Sequence, residues 1–341
     1  MSIFTAKNSF YPIRYFVFAV SFRFIFHNGT KNRPKCSLTI VFLRCVVYNL
    51  KKQKRFDMQI IDGKLVAKET RELLKAEVEK LNSQSNAHKI GLAVILVGDD
   101  PASQVYVRNK IKACDEVGIE SYLCKLPAES TFEDVANTIK SLNDNPDVTG
   151  MILQLPLPKH LDENSLLDLI SPDKDVDGCH YVQKGRLWTG RDSLIACTPL
   201  GVMRLLEYYN IPLEGKNAVV IGRSNLVGKP LAQLLLEKNA TVTICHSRTQ
   251  NLKNITSRAD IVCVAIGKAK FLKADMVKDG AVVVDVGMDR DENGKLCGDV
   301  DFDSVAPKCS YITPVPGGVG PMTVTMLIAN TIKAYKVNNK I

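Results

Sequence analysis

The chain has 341 residues, with 45 Lys or Arg against 36 Asp or Glu and a formal charge of +9. The excess sits in residues 1–56, which hold eleven Lys or Arg, no Asp or Glu and nine of the twelve Phe; the remainder carries 34 basic and 36 acidic residues. A near-neutral body excludes a basic nucleic-acid-binding core, so the positive charge belongs to a leader.

Three readings of that leader stay open: a transit peptide, a signal-anchor, or an upstream extension of a protein whose translation starts at Met58. Basic, acid-free N-termini suit organellar import, though the Phe content is unusual for it. The apolar run Tyr15 to Phe26 is interrupted by Arg23 and is too short to span a bilayer, so no membrane role is expected. Met58 to Ile341 is long enough for two cored domains. Eight of the ten Cys are scattered through it without a CxxC pair, and no HxxxH or HExxH occurs. This suits reduced, buried thiols in a cytoplasm or a mitochondrial matrix, and no protein-bound metal is expected.

After Met58 the pattern alternates helix and strand. A helix is predicted over Lys64–Leu81, then an apolar strand from Leu92 to Val97 ending in Gly98-Asp99-Asp100. PASQVYVRNKIKACDEVG reads as a helix start and an amphipathic helix ending near Gly118. A short strand near Tyr122, a helix over Phe132–Leu142, a strand through Met151–Leu153 and a helix around Asn164–Ile170 follow. Cys197-Thr198-Pro199 opens a helix through Tyr209, with Thr198 as N-cap and Pro199 at the first position. A second unit starts at Lys216: strand Asn217–Ile221, helix Val227–Lys238, and strands at Ala240–Cys245, Ile261–Ala265 and Ala281–Val286. The last helix is placed at about Met322–Lys336. Continuous apolar runs alternating with amphipathic segments mark parallel strands covered on both faces.

Six segments could carry chemistry. Tyr106 and Lys110 are four apart and share a helical face, where a ring beside the lysine stem would favour a usable proton carrier. Gln154 ends an apolar strand, the position at which α/β sheets present active-site groups. The run AVVIGRSNLVGKP is strand, glycine loop and helix start, with Gly222, Ser224 and Gly228 where a pyrophosphate would meet backbone N–H groups. The next strand ends in CHSRT, with no acid for a ribose hydroxyl; with Arg223 in the loop, a 2′-phosphate and hence NADP fits better than NAD. Pro314–Thr323 combines prolines and glycines beside a helix start, and Asp175-Val176-Asp177-Gly178 presents carboxylates without the spacing of a calcium loop.

Together YVRNK, LQLPLPKHL, PDKDVDG, VVIGRSNLVGKP, CHSRT, VVDVG, GDVDF and YITPVPGGVGPMT resemble the methylenetetrahydrofolate dehydrogenase/methenyltetrahydrofolate cyclohydrolase family over nearly all of 58–340. The resemblance implies an α/β fold of two domains. These are an N-terminal catalytic folate domain, 58–197 completed by a C-terminal helix 322–341, and a Rossmann-like NAD(P)-binding domain, 198–321. A cleft lies between them, and 1–57 stands apart as leader. It implies oxidation of 5,10-methylenetetrahydrofolate with NADP⁺ and hydrolysis of the methenyl product to 10-formyltetrahydrofolate, with a cyclohydrolase of faded dehydrogenase activity or an NAD-preferring form as alternatives. In that family Lys110 is the acid/base group, Tyr106 stacks on the folate, Gln154 tunes the lysine and Asp177 holds the pterin. Pro316, Gly317 and Gly318 lie beside folate and nicotinamide, and Arg223 and Ser247 face the 2′-phosphate. A homodimer is implied, and no appended formate–tetrahydrofolate ligase is expected.

Overall fold

The structure, a computed structural model, describes residues 57–84 and 89–341, with the side chain of Gln84 left aside. The leader expectation therefore falls almost wholly outside the described residues.

The first sheet has three parallel strands in the order β3-β2-β4, with β2 Gly91–Val97 between β3 Glu120–Leu126 and β4 Gly150–Leu153. Every residue of β2 and β4 is buried. Leu92, Val94 and Leu96 pack to one side, while Ala93, Ile95 and Val97 pack to the other. That is why this strand reads as one apolar run rather than an alternation. Helix α1 (Gly63–Gln84) and helix α2 (Pro101–Val117) cover one face, and α3 (Phe132–Asp144) and the short α4 (Glu163–Leu167) the other. Asp100 caps α2 by accepting from the Ser103 N–H at 2.7 Å, and Gly118 ends it at φ 83°.

The second sheet has six parallel strands in the order β1-β11-β8-β7-β5-β6, where β1 is Gln59–Ile60, β5 Asn217–Ile221, β6 Thr241–Cys245, β7 Ile261–Val264, β8 Ala281–Asp285 and β11 Cys309–Ile312. From β5 onward this is the doubly wound order 2-1-3-4-5, whose switch point lies between β5 and β7. The N-terminal β1 adds a sixth strand by pairing Ile60 with Ile312. Helix α5 (Tyr181–Trp188) and helix α6 (Cys197–Tyr208) link the two lobes. Helix α7 (Gly228–Glu237) and the short α8 (Leu252–Thr256) follow in the second lobe. A small antiparallel pair, β9 (Asp289–Arg290) with β10 (Leu296–Cys297), precedes α9 (Phe302–Val305). The last helix, α10 (Val319–Asn339), packs on α6, α1 and α2.

Several boundaries differ from expectation. Thr198 is not the N-cap of α6: Ala196 holds that position and Thr198 lies in the first turn, its hydroxyl 3.0 Å from that of Thr323 on α10. The expected helix to Ile170 stops at Leu167, where the chain turns towards Pro172, whose ring disfavours helical backbone in Ser171. Helix α10 begins three residues early, at Val319. Pro321 is no obstacle there, because N–H groups of a first turn need no helical partner. The strand near Tyr122 is a full seven residues, matched one to one against β2.

Candidate functional site

A cavity of about 490 Å³ lies between the lobes, where the C-terminal ends of β4 and β8 face the loop before α10. Helix α2 brings Tyr106 and Lys110 to one wall. The other predicted substrate residues, Gln154, Asp177, Pro316, Gly317 and Gly318, line the same cavity.

Lys110 is half-buried, and its Nζ donates to Gln154 Oε1 at 3.0 Å. The amide is oriented from its other end: Gln154 Nε2 donates to the Leu155 carbonyl at 2.6 Å, which leaves Oε1 as the acceptor facing the lysine. The backbone N–H of Gln154 continues the sheet by donating to the Ile95 carbonyl at 2.9 Å. An ammonium has three donors and no acceptor. One Lys110 donor is thus engaged by Gln154, and the group still borders the cavity.

Asp177 sits on a loop held from two sides. The buried Asp175 accepts from the N–H groups of Cys179 at 3.2 Å and His180 at 2.8 Å; burial pushes its carboxyl up to about 6. Behind the loop, buried Asn330 of α10 donates to the carbonyls of Val176 and Ile195, each at 2.8 Å. The last helix thereby sets the backbone immediately before Asp177. Cys197 lines the cavity, but burial raises its thiol far above the ordinary range, and that of neighbouring Cys179 likewise. A thiolate nucleophile is not available in this site. All eight cysteines of the described residues are unpaired.

The predicted nucleotide residues lie beside the cavity rather than in its lining, at the switch point between β5 and β7. Gly222 has φ 132°, and a Cβ added there would come within 2.3 Å of the Ala265 carbonyl oxygen; one added at Gly228 would come equally near the Gly222 carbonyl. Both positions need glycine for close backbone approach. Ser224 Oγ accepts from the N–H groups of Val227 at 3.1 Å and Gly228 at 3.3 Å and so shapes the start of α7. The N–H of Gly222 donates to the Cys245 carbonyl at 2.9 Å, tying the tip of β5 to that of β6. Arg223 and Ser247 therefore stand exposed on two adjoining strand tips, with no acid in the Cys245–Thr249 turn. A dinucleotide fits this cradle: two glycines clear the backbone, a helix start faces the loop, and basic side chains border it. Among the described residues no cluster of His, Cys, Asp or Glu is arranged to hold a metal ion.

Sequence reasoning missed several cavity residues. Lys64 at the start of α1 is a second cation in the lining, and Thr198 meets there the hydroxyl of Thr323, which ends the segment the sequence had already marked. Asp285, Gly287 and Met288 form the nucleotide-lobe wall. The signal for Asp285 was present: an acid ending an otherwise apolar buried strand demands partners.

Two family models match, the tetrahydrofolate dehydrogenase/cyclohydrolase catalytic domain over residues 61–177 and its NAD(P)-binding domain over 196–339. The bifunctional protein FolD of Campylobacter hominis is 58% identical over 279 residues, covering 82% of this chain and 98% of that protein. The FolD of Streptococcus pneumoniae serotype 4 is 56% identical over 276 residues, covering 81% and 96%. The chain belongs to the tetrahydrofolate dehydrogenase/cyclohydrolase family. Solved structures agree. The bifunctional FolD enzyme of Campylobacter jejuni superposes with a TM-score of 0.80 at 48% identity, over 83% of this chain and all of that one. The FolD of Trypanosoma brucei, complexed with NADP cofactor and inhibitor, gives 0.79 at 37% identity over 83% and 99%. The family assignment matches the two-lobed α/β architecture and the expectation drawn from the motifs.

Proposed function

We infer that the chain is a bifunctional enzyme of one-carbon metabolism. It oxidises 5,10-methylenetetrahydrofolate to the 5,10-methenyl form with NADP⁺ and hydrolyses that product to 10-formyltetrahydrofolate. The observation that carries this reading is the Lys110–Gln154 contact at 3.0 Å inside a cavity that also holds Asp177 and borders a dinucleotide cradle.

In this reading Tyr106 provides the platform for the folate ring system, and Asp177 accepts hydrogen bonds from the amino edge of the pterin. NADP⁺, when bound, takes up the hydride from the one-carbon bridge. The Gly222–Gly228 loop and the start of α7 would hold its pyrophosphate, Arg223 and Ser247 its 2′-phosphate. Pro316, Gly317 and Gly318 bring the loop backbone beside folate and nicotinamide. The chain's contribution to oxidation is orientation of two rings across the cleft. Hydrolysis asks more of it. Water adds to the methenyl cation, and protons must leave that water and reach a ring nitrogen. Lys110 is the group placed for this, held by Gln154 and half shielded from solvent.

A homodimer is part of the proposal. Strand β6 is a sheet edge, and Ile244 on it and Leu236 on α7 are exposed apolar side chains. An open strand edge with apolar neighbours is suited to pairing with a second copy. Eight unpaired cysteines suit the reducing cytoplasm. Among the described residues no helix is long and apolar enough to cross a membrane.

The test is direct. The purified chain with methylenetetrahydrofolate should reduce NADP⁺, seen as nicotinamide absorbance, and should consume separately supplied methenyltetrahydrofolate without cofactor. Absence of the first activity with the second intact would reduce the protein to a cyclohydrolase. Absence of both would overturn the reading.

A further inference from the structure

The hydroxyl of Tyr106 reaches across the cleft: it donates to Met288 Sδ at 3.1 Å, joining α2 to the turn that follows β8. Tyr106 and Met288 are both well exposed, so neither is fixed by burial. A thioether is a weak acceptor that also packs well against rings, and such a contact holds an aromatic plane only if the sulfur itself is held.

The turn carrying Met288 is held by Asp285. This carboxylate is 3% exposed at the end of β8, and it accepts from three backbone N–H groups: Gly287 at 2.9 Å, Asp299 at 3.0 Å and Val300 at 2.9 Å. Its own N–H donates to Thr313 Oγ1 at 2.7 Å. The approach is so close that a Cβ added to Gly298 would lie 2.0 Å from Asp285 Oδ2. The next carboxylate continues the lock, since Asp299 accepts from Ile266 at 2.8 Å and Lys268 at 2.6 Å. Segments after β7, after β8 and before α9 are thus tied together through two buried side chains.

We propose that Met288 is a positioning residue for Tyr106 and that Asp285 acts through it, fixing the turn whose methionine sets the ring on which folate stacks. This rests on the reading of Tyr106 as the folate platform. The platform of the catalytic lobe is then aligned by the nucleotide lobe, through the same turn whose Val286 and Gly287 line the cavity. Such an arrangement makes the folate site complete only when the two lobes are in register.

A double-mutant cycle tests it, with steady-state constants for methylenetetrahydrofolate and NADP⁺ measured on the full chain. Met288→Leu conserves volume but removes the sulfur acceptor, and Tyr106→Phe removes only the donor. Each should raise the folate KM by roughly three- to tenfold, the range of one net hydrogen bond, and leave the NADP⁺ KM unchanged. The double variant should be no worse than either single one. Asp285→Asn, which puts an amide donor against backbone N–H groups, should shift the folate KM in the same direction and further. Should it fail to fold, Met288→Leu still decides the matter. Fully additive effects, equal changes in both KM values, or a Met288→Leu enzyme with wild-type folate KM would overturn the proposal. Tyr106→Ala separates the two levels. If it binds folate as the wild type does, the platform reading itself falls, and the positioning proposal with it. If it loses folate affinity while Met288→Leu does not, only the positioning proposal falls.

Discussion

At the residue scale the site is decided by which partner each polar group is given. Lys110 has Gln154, and Gln154 in turn is oriented by the carbonyl of Leu155. Lys110→Met keeps the stem and removes the amine. It should lower the cyclohydrolase rate by about 10²–10⁴-fold, the usual weight of general acid–base catalysis, while dehydrogenase turnover falls far less. Separate assays of the two half-reactions check this, and a wild-type hydrolysis rate would remove Lys110 from its role. Arg223 stands exposed at the tip of β5 with no acidic neighbour in the facing turn. Its replacement by Ala should cost one charge-assisted contact, about 1.5–3 kcal/mol or roughly ten- to a hundredfold in NADP affinity. Arg248, exposed in the Cys245–Thr249 turn, is the group able to compensate in part. Adding Arg248→Ala should therefore lower NADP affinity again and leave NAD affinity unchanged, as titration calorimetry would show.

Elements position these residues more than they carry them. Strand β4 is buried throughout, delivers Gln154 at its end and needs no polar residue to do so. Helix α10 acts at a distance: Asn330 holds two carbonyls on the segments either side of Gly178. Asn330→Ala would leave the half-buried Ile195 carbonyl without its donor, at about 1–3 kcal/mol, and the Val176 carbonyl with only the weak Cys197 thiol donor at 3.5 Å. The expected outcome is a lower unfolding midpoint together with a raised folate KM, because the Asp177 loop loses its backing. The NADP⁺ KM should stay put, since the cradle at Gly222 makes no contact with Asn330. Thermal denaturation and steady-state kinetics on one preparation test both halves.

For the whole molecule, the buried carboxyls set a pH dependence. Burial raises Asp175 to about 6 and Asp285 to about 7, against the partial pull of their backbone N–H partners. A carboxyl whose folded value lies above its unfolded value takes up a proton on folding between the two. Its stabilising contribution is complete below the ordinary carboxylate range and is lost as pH rises through about 6 for Asp175 and about 7 for Asp285. The unfolding midpoint of Asp285→Asn, relative to the wild type, should therefore improve from pH 5 to about pH 7 and level off above it. A difference that stays constant, or reverses, would show that the carboxyl does not titrate there. The proposed homodimer belongs to this scale too. Light scattering should return twice the chain mass, and Ile244→Lys on the β6 edge should return the monomer.

Much of this protein was open to reading from its residues alone. Buried parallel strands announce themselves as unbroken apolar runs, so β2, β5, β7 and β8 were legible to within a residue or two, and the glycine loop before α7 followed from its place between strand and helix. The spacing of Tyr106 and Lys110 on one helix face is likewise a local property. Long-range partnerships are not encoded in any window. Nothing near Gln59 signals that it will pair with Tyr311, nothing near Thr198 that its hydroxyl will meet Thr323 rather than cap its own helix, and nothing near Met288 that it will face Tyr106. Those contacts join residues separated by more than a hundred positions, and only packing of the two lobes determines which side chains close the cleft.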